Sequence, residues 1–272
     1  MQQLPIGIFD SGIGGLTVMQ ELINVLPGES FIYFGDTARL PYGNKSPEAI
    51  IRCSVENAMF LMEHQIKLLI VACNTASAYA MEQLRELCGV PVIGVIEPGA
   101  QRAVEVSKNG KIAVLGTKAT IKSDAYRREI LSRNPQAQVV SVACPLFVPL
   151  VEEQFTKHPA ARLIVRDYLS ALKGQVDTLL LGCTHYPLLR DVIAEEIGDV
   201  AIVDSATTCA LEVAAVLAKK GIAAQDSQPI YRYFVSDDPN QFQRLGKEFL
   251  GRFINHVNPI PTQMANMAVN IP

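Results

Sequence analysis

Runs of three to six mostly apolar residues recur along the chain. Each is closed by small polar residues and followed by a segment of helical period. Runs this continuous suit parallel strands covered on both faces, because a strand with one wet face would alternate. They fall at 6–10, 31–35, 68–72, 92–95, 111–115, 139–143, 178–182 and 201–203. The intervening helices carry legible ends. Leu16, Met19, Leu22, Ile23 and Leu26 form one apolar face, and Pro27-Gly28 stops it. Ser46-Pro47-Glu48 supplies an N-cap, a proline at the first position and an acid in the first turn of a helix reaching about His64. Further single helices are predicted from Asn74 to near Cys88, from Thr120 to near Arg133 and from Pro159 to Lys173. Another opens at Pro187, and the next is capped by Asp204-Ser205 and ends at Lys220 before Gly221. The polar stretch 36–43, the Glu97-Pro98-Gly99 closure and the segment between Pro145 and Pro149 leading to Glu152 and Glu153 are read as loops. Near the end, Tyr231, Tyr233 and Val235 alternate as in an edge strand. Phe242, Leu245, Phe249 and Phe253 mark a last helix, and 258–272 is expected to be loosely held. Strands alternating with helices predict an α/β fold with mostly parallel sheets flanked by helices.

The pattern restarts near residue 111. Ile6-Gly7-Ile8-Phe9-Asp10-Ser11 aligns with 112–117, and Val71-Ala72-Cys73-Asn74-Thr75 aligns with Leu181-Gly182-Cys183-Thr184-His185. This predicts two pseudo-symmetric lobes with a site in the cleft between them, the first formed by 1–96 and 210–272 and the second by 97–209. Each lobe then carries one cysteine, Cys73 or Cys183, where a buried strand ends and a helix begins. Open α/β sheets place their ligands at such carboxyl ends, and the positive end of a helix can stabilise a thiolate.

The bulk properties narrow the class. The chain has 272 residues, 49% of them apolar, and no apolar run long enough to cross a membrane. Met1-Gln2-Gln3-Leu4-Pro5 shows no basic leader, so a cytoplasmic protein without a membrane partner is expected. The net charge of −3 and the lack of a basic stripe leave nucleic-acid binding without electrostatic support. Six cysteines, at 53, 73, 88, 144, 183 and 209, show no disulfide-framework spacing and are read as free thiols.

Two thiols facing one carbon suit two-base proton transfer. One removes a proton from one face, the other returns a proton to the opposite face, and a stereocentre is inverted. Asp10, at the end of the first strand, and His185, two residues beyond Cys183, are candidate assistants. Ser11, Asn74, Thr75, Thr117 and Thr184 sit at strand-to-helix junctions, where amides and hydroxyls bind carboxylates and stabilise developing negative charge. Blander readings stand beside these. Cys53, Cys88, Cys144 and Cys209 are read as core packing. Asp10 and His185 could serve as local caps, and Glu152 beside Glu153 is most simply a solvated acidic pair. Other chemistries are open too. Gly12, Gly14 and Gly15 after a strand mimic a dinucleotide-binding turn, but Thr17 stands where the third glycine belongs. A zinc site from Cys73, Cys183 and His185 lacks paired-ligand spacing, and no metal is expected. A Cys183–His185 hydrolase would leave Cys73 unexplained.

Four blocks, Phe9-Asp10-Ser11-Gly12-Ile13-Gly14-Gly15, Asp36-Thr37-Ala38-Arg39-Leu40-Pro41-Tyr42-Gly43, Ala72-Cys73-Asn74-Thr75-Ala76-Ser77 and Gly182-Cys183-Thr184-His185-Tyr186-Pro187, resemble the signatures of bacterial glutamate racemases in matching order. The resemblance spans about residues 6–255. It implies cofactor-independent interconversion of L- and D-glutamate, supplying D-glutamate for peptidoglycan. It makes Cys73 and Cys183 the acid–base pair, with Asp10, Glu152 and His185 in support. Asp10, Ser11, Pro41, Tyr42, Gly43, Asn74, Thr75, Thr117, Thr184 and His185 would hold the substrate. A homodimer is expected. The nearest rival is an aspartate racemase, which resembles the last block less. An NAD-dependent oxidoreductase and a noncatalytic two-lobed binding protein stand further off.

Overall fold

The computed structural model describes residues 2–224 and 228–260. The first sheet contains β1 (Ile6–Asp10), β2 (Phe31–Gly35), β3 (Leu68–Val71) and β4 (Val92–Gly94), joined late in the chain by β9 (Tyr231–Val235) and β10 (Asn258–Pro259). The second contains β5 (Lys111–Gly116), β6 (Gln138–Ala143), β7 (Thr178–Gly182) and β8 (Ala201–Asp204). The strand orders are β10-β9-β2-β1-β3-β4 and β6-β5-β7-β8, and every pairing is parallel. The segment β2-β1-β3-β4 thus repeats as β6-β5-β7-β8. In each sheet the order reverses beside the first-formed strand, which opens a crevice at the strands' carboxyl ends.

Helices cover both faces. The first sheet is accompanied by α1 (Leu16–Val25), α2 (Pro47–Glu63), α3 (Asn74–Tyr79) and α4 (Met81–Leu87). The second has α5 (Ile96–Val106), α6 (Lys118–Lys122), α7 (Ala125–Arg133), α8 (Phe147–Glu152), α9 (Pro159–Leu169) and α10 (Arg190–Ile197). The chain then runs through α11 (Ser205–Lys220) back to β9, α12 (Pro239–Leu250) and β10. Strand residues alternate between cores: Ile6 and Ile8 join a cluster that continues into Ala113, Leu115, Leu179 and Leu181 of the second sheet, while Phe9, Leu69 and Val71 face α2. That shared cluster is built around α1 and α11, which pack on each other, and α11 also packs on α5. Among the described residues, no helix is long and apolar enough to cross a membrane.

Several expectations are corrected. Glu97-Pro98-Gly99 does not close a strand into a loop but opens α5, whose Ile96, Ala100 and Ala103 are buried. The segment after Pro145 contains α8, with Phe147, Leu150 and Val151 buried. Both missed helices carry proline at their third position, where a lost N–H was unpaired anyway. The helix predicted from Asn74 is interrupted at Ala80. The one ending at Arg133 is broken by Asp124 in the left-handed region at φ 57°. The 231–235 strand is interior, not an edge, because β10 pairs outside it. Asn258 and Pro259 are therefore held in the sheet, while the rest of the tail, from 261, lies outside the described residues.

Candidate active site

Cys73 follows β3 and Cys183 follows β7, so the two thiols occupy equivalent places in the two sheets. Both line one cavity of about 220 Å³. Its walls include Ser11, Pro41, Tyr42, Gly43, Asn74, Thr75, Thr117, Glu152, Thr184 and His185, so every predicted site residue except Asp10 lies on it. Asp10 lies just behind, fully buried beneath Ser11 and Gly12, with Oδ2 accepting from Gly12 N at 3.0 Å.

The first half is built on the β1 and β3 ends. Cys73 caps α3, its Sγ accepting from Ala76 N at 3.5 Å, and its thiol donates to Ser11 Oγ at 3.7 Å. The helix end was expected to favour a thiolate. It does pull the pKa down, but burial and the nearby Asp10 carboxylate outweigh it, and the Cys73 thiol is pushed up to about 12. Asp10 itself is raised from the ordinary carboxylate value by burial, against the opposing pull of His185 and of amides at Gly12, Gly15 and Ser11. Its Oδ1 has no hydrogen-bond partner among the described residues.

The second half differs. A short 3-10 turn at Tyr186–Leu189 replaces the helix that Cys73 caps. His185 Nδ1 lies 4.0 Å from Cys183 Sγ, and its Nε2 is 2.9 Å from Glu152 Oε1. Burial pulls His185 toward the neutral form, but its bonds to Cys183 and Glu152 prevail and its pKa is pushed up to about 10. Glu152 is therefore no solvated acid: α8 delivers it to the imidazole.

The remaining polar groups knit the two sheets' elements together. Thr75, Thr117 and Thr120 form a triangle of hydroxyl contacts at 3.0, 3.1 and 3.0 Å. Tyr126 OH donates to Asn74 Oδ1 at 2.6 Å, and Asn74 Nδ2 donates to Ser205 Oγ at 3.3 Å. The loop bearing Tyr42 and Gly43 is anchored from below. Buried Asp36 accepts from Arg39 Nε at 3.0 and 2.8 Å, from Ser236 Oγ at 3.0 Å and from Tyr42 OH. Gly43 packs so closely on Thr117 that a Cβ there would come within 2.8 Å of the threonine Cβ. Sequence reasoning missed several lining residues, among them Cys144 and Lys118. Cys144 belongs to the core, as expected, but it also lines the cavity, and burial pushes its thiol up to about 12. Lys118, the first residue of α6, is the one lysine on the wall, and it follows Thr117 directly.

The fold and the paired thiols have known counterparts. A family model described as Asp/Glu/Hydantoin racemase matches residues 6–213. The glutamate racemase of Geobacter metallireducens is 55% identical over 249 residues, which cover 90% of this chain and 92% of that one. The glutamate racemase of Neisseria meningitidis serogroup A is 47% identical over 262 residues, 95% and 97% of the two chains. Among solved structures, the Francisella tularensis glutamate racemase in complex with D-glutamate superposes with a TM-score of 0.90 at 37% identity, over 96% of this chain and 98% of that one. The Picrophilus torridus aspartate racemase, at 20% identity and TM-score 0.61 over 80% of this chain and 94% of that one, shares the fold alone. The chain belongs to the Asp/Glu/Hydantoin racemase family and, within it, to the glutamate racemases.

Proposed function

We propose that this protein interconverts L- and D-glutamate by proton transfer between two cysteines and the α-carbon, without a cofactor, in the cytoplasm, and that its D-glutamate is used for peptidoglycan. The observation that carries this reading is the pair of strand-end thiols, Cys73 and Cys183, lining one cavity from two sheets of the same topology. The supporting groups fit it. The Cys73 thiol, raised to about 12, holds its proton at neutral pH and is the resting acid. Cys183 faces His185, whose pKa is pushed up to about 10 by its bonds to Cys183 and Glu152.

In this scheme Cys183 takes the α-proton of L-glutamate while Cys73 gives one to the opposite face. D-glutamate then leaves a Cys73 thiolate and a Cys183 thiol. After product release Cys73 regains a proton from water and Cys183 gives one to water, with Asp10 and His185 biasing these exchanges at their respective sulfurs, and the starting state is restored. For D-glutamate the roles reverse. Glu152 keeps His185 charged. Ser11, Asn74, Thr75 and Thr184 at the strand ends, with Pro41, Tyr42, Gly43 and Thr117 across the cavity, hold the substrate's carboxylates and ammonium. The lobes are proposed as 1–96 with 210–272, and 97–209; the return crossing then falls within α11, the helix that packs on both α1 and α5. The working unit is proposed to be a homodimer. The exposed apolar side chains of Leu146, Phe155 and Leu163 are surface that an assembly would cover.

The direct test is to incubate the pure protein with L-glutamate in D₂O without added cofactor. Loss of optical activity with deuterium entering the α-position is expected. No exchange with either enantiomer of glutamate would sink the reading, and exchange with aspartate alone would favour the rival substrate.

A further inference from the structure

In the glycine-rich turn after β1, Gly14 has no role in the chemistry above, and the turn's resemblance to a dinucleotide-binding turn is superficial. What approaches it is protein. A Cβ built on Gly14 would lie 2.3 Å from Thr184 Oγ1, 2.4 Å from His185 Nδ1 and 2.5 Å from His185 Cε1, distances that real Cβ atoms do not tolerate. One turn further, the Thr17 hydroxyl stands 2.9 Å from the Thr184 carbonyl and 2.9 Å from the Gly14 carbonyl. Thr17 is buried, so the bond to Thr184 is shielded from water. On its other side the His185 ring meets the edge of Phe249 from α12, with centroids 5.2 Å apart and planes at 82°. The imidazole and the turn that bears it are thus held by three first-sheet elements, although they follow a strand of the second.

We propose that Gly14 and Thr17 are positioning residues that seat the Cys183-Thr184-His185 turn and so set the place of the His185 ring beside Cys183. This rests on the racemase reading for its kinetic consequence but not for its geometry. The groups that face His185 are Cys183 on its own turn, Glu152 from α8 and Asp10 from β1. Displacing the ring from the first two removes the contacts that hold it protonated, so its titration reports its position. An added methyl at Gly14 acts by occupying the space of the Thr184 hydroxyl and the His185 ring; loss of the Thr17 hydroxyl acts by releasing the turn's backbone.

The test uses Gly14→Ala, Thr17→Val and Thr17→Ser, with His185 titrated by NMR among the chain's four histidines and racemisation measured in parallel. For Gly14→Ala, kcat is expected to fall about 100-fold, as for reacting groups displaced by an ångström, and the His185 titration should move to lower pH. For Thr17→Val, a fall of about fivefold is expected from one lost buried hydrogen bond, with Thr17→Ser restoring activity. In a His185→Ala background, Gly14→Ala should cost well under its full factor, because part of its effect passes through the ring. An unmoved His185 titration in Gly14→Ala overturns the proposal, as does a full multiplicative loss in the double variant. If Gly14→Ala does not fold, the Thr17 pair decides alone: equal activity and equal His185 titration in Val and Ser variants overturns it. The titration is read without substrate, so it stands apart from the failure of wild-type racemisation in D₂O.

Discussion

Cys73 and Cys183 end equivalent strands of equivalent sheets, yet their surroundings are opposite in kind. Cys73 receives a helix amide and faces a buried carboxylate, Asp10, which works against ionisation. Cys183 has an imidazole at 4.0 Å, itself bonded to Glu152. The sheet topology fixes where the two thiols stand; the neighbours differ, a carboxylate behind one and an imidazole beside the other. A symmetric scaffold therefore presents asymmetric surroundings to a substrate whose two forms are mirror images at one carbon.

The sharpest way to break this comparison is to remove one thiol at a time. Cys73→Ala and Cys183→Ala should each lower racemisation by about 10³- to 10⁴-fold, at the upper end of what one acid–base group contributes. The surviving thiol should still exchange the α-proton of one enantiomer in D₂O: L-glutamate for Cys73→Ala, D-glutamate for Cys183→Ala. Exchange from the same enantiomer in both variants would refute a two-sided site.

The next effect sharpens the asymmetry. Asp10→Asn and His185→Asn should each reduce kcat by about 10²-fold. The two enantiomers have equal free energy, so kcat/KM must fall equally in both directions. The asymmetry should appear instead in the primary deuterium isotope effects, which are expected to change in opposite directions for L- and D-glutamate in the two variants. Matching changes would show that the assistants are not assigned to separate thiols.

Glu152→Gln addresses the second half alone. His185 should then titrate well below about 10, the value its bonds to Cys183 and Glu152 support. A histidine raised on folding stabilises the native state fully below its unfolded value near 6.5 and loses that contribution as pH rises through its folded value. Chemical denaturation between pH 6.5 and 10 should show falling stability in the parent and a flatter profile in Glu152→Gln. An unchanged slope would remove Glu152 from that role.

Two smaller effects concern stability and the third thiol. Asp10 has a raised pKa, so its folded form binds a proton more readily than its unfolded form and its ionisation destabilises the fold near neutrality. Asp10→Asn keeps an acceptor for Gly12 N and should therefore raise Tm at pH 7 while activity falls, a trade common at catalytic sites. Cys144→Ala should change kcat by less than about threefold, since Cys144 follows β6 and not a strand at the order reversal. A larger loss would mean that a third thiol takes part.

Most of the fold was legible because its strands are nearly unbroken apolar runs and its helices have strong ends, as at Ser46-Pro47 and Asp204. The two missed helices both place proline inside the first turn, a position that local reading takes for a break. The 231–235 strand read as an edge because its alternation reports half-exposed faces; what pairs beside it is a two-residue strand with no periodicity of its own. The thiols were legible because the repeat supplied two copies of one position. The His185–Glu152 bond was not, since it joins residues 33 apart through a helix that was itself unread. Nor was the use of Gly14, whose small size matters only once His185 arrives beside it.

The 36–44 segment is tied to residues nearly 200 positions later: Ser236 Oγ donates to Asp36 and accepts from Ala38 N, and Asp237 N donates to Thr37 Oγ1. During synthesis, which proceeds from the N-terminus, β5 to β8 can complete their sheet while β2 still lacks β9 along one side. The wall carrying Tyr42 and Gly43 gains its last anchor only when that late strand has left the ribosome. A nascent chain thus holds both cysteines long before the cavity wall opposite Thr117 has its last anchor.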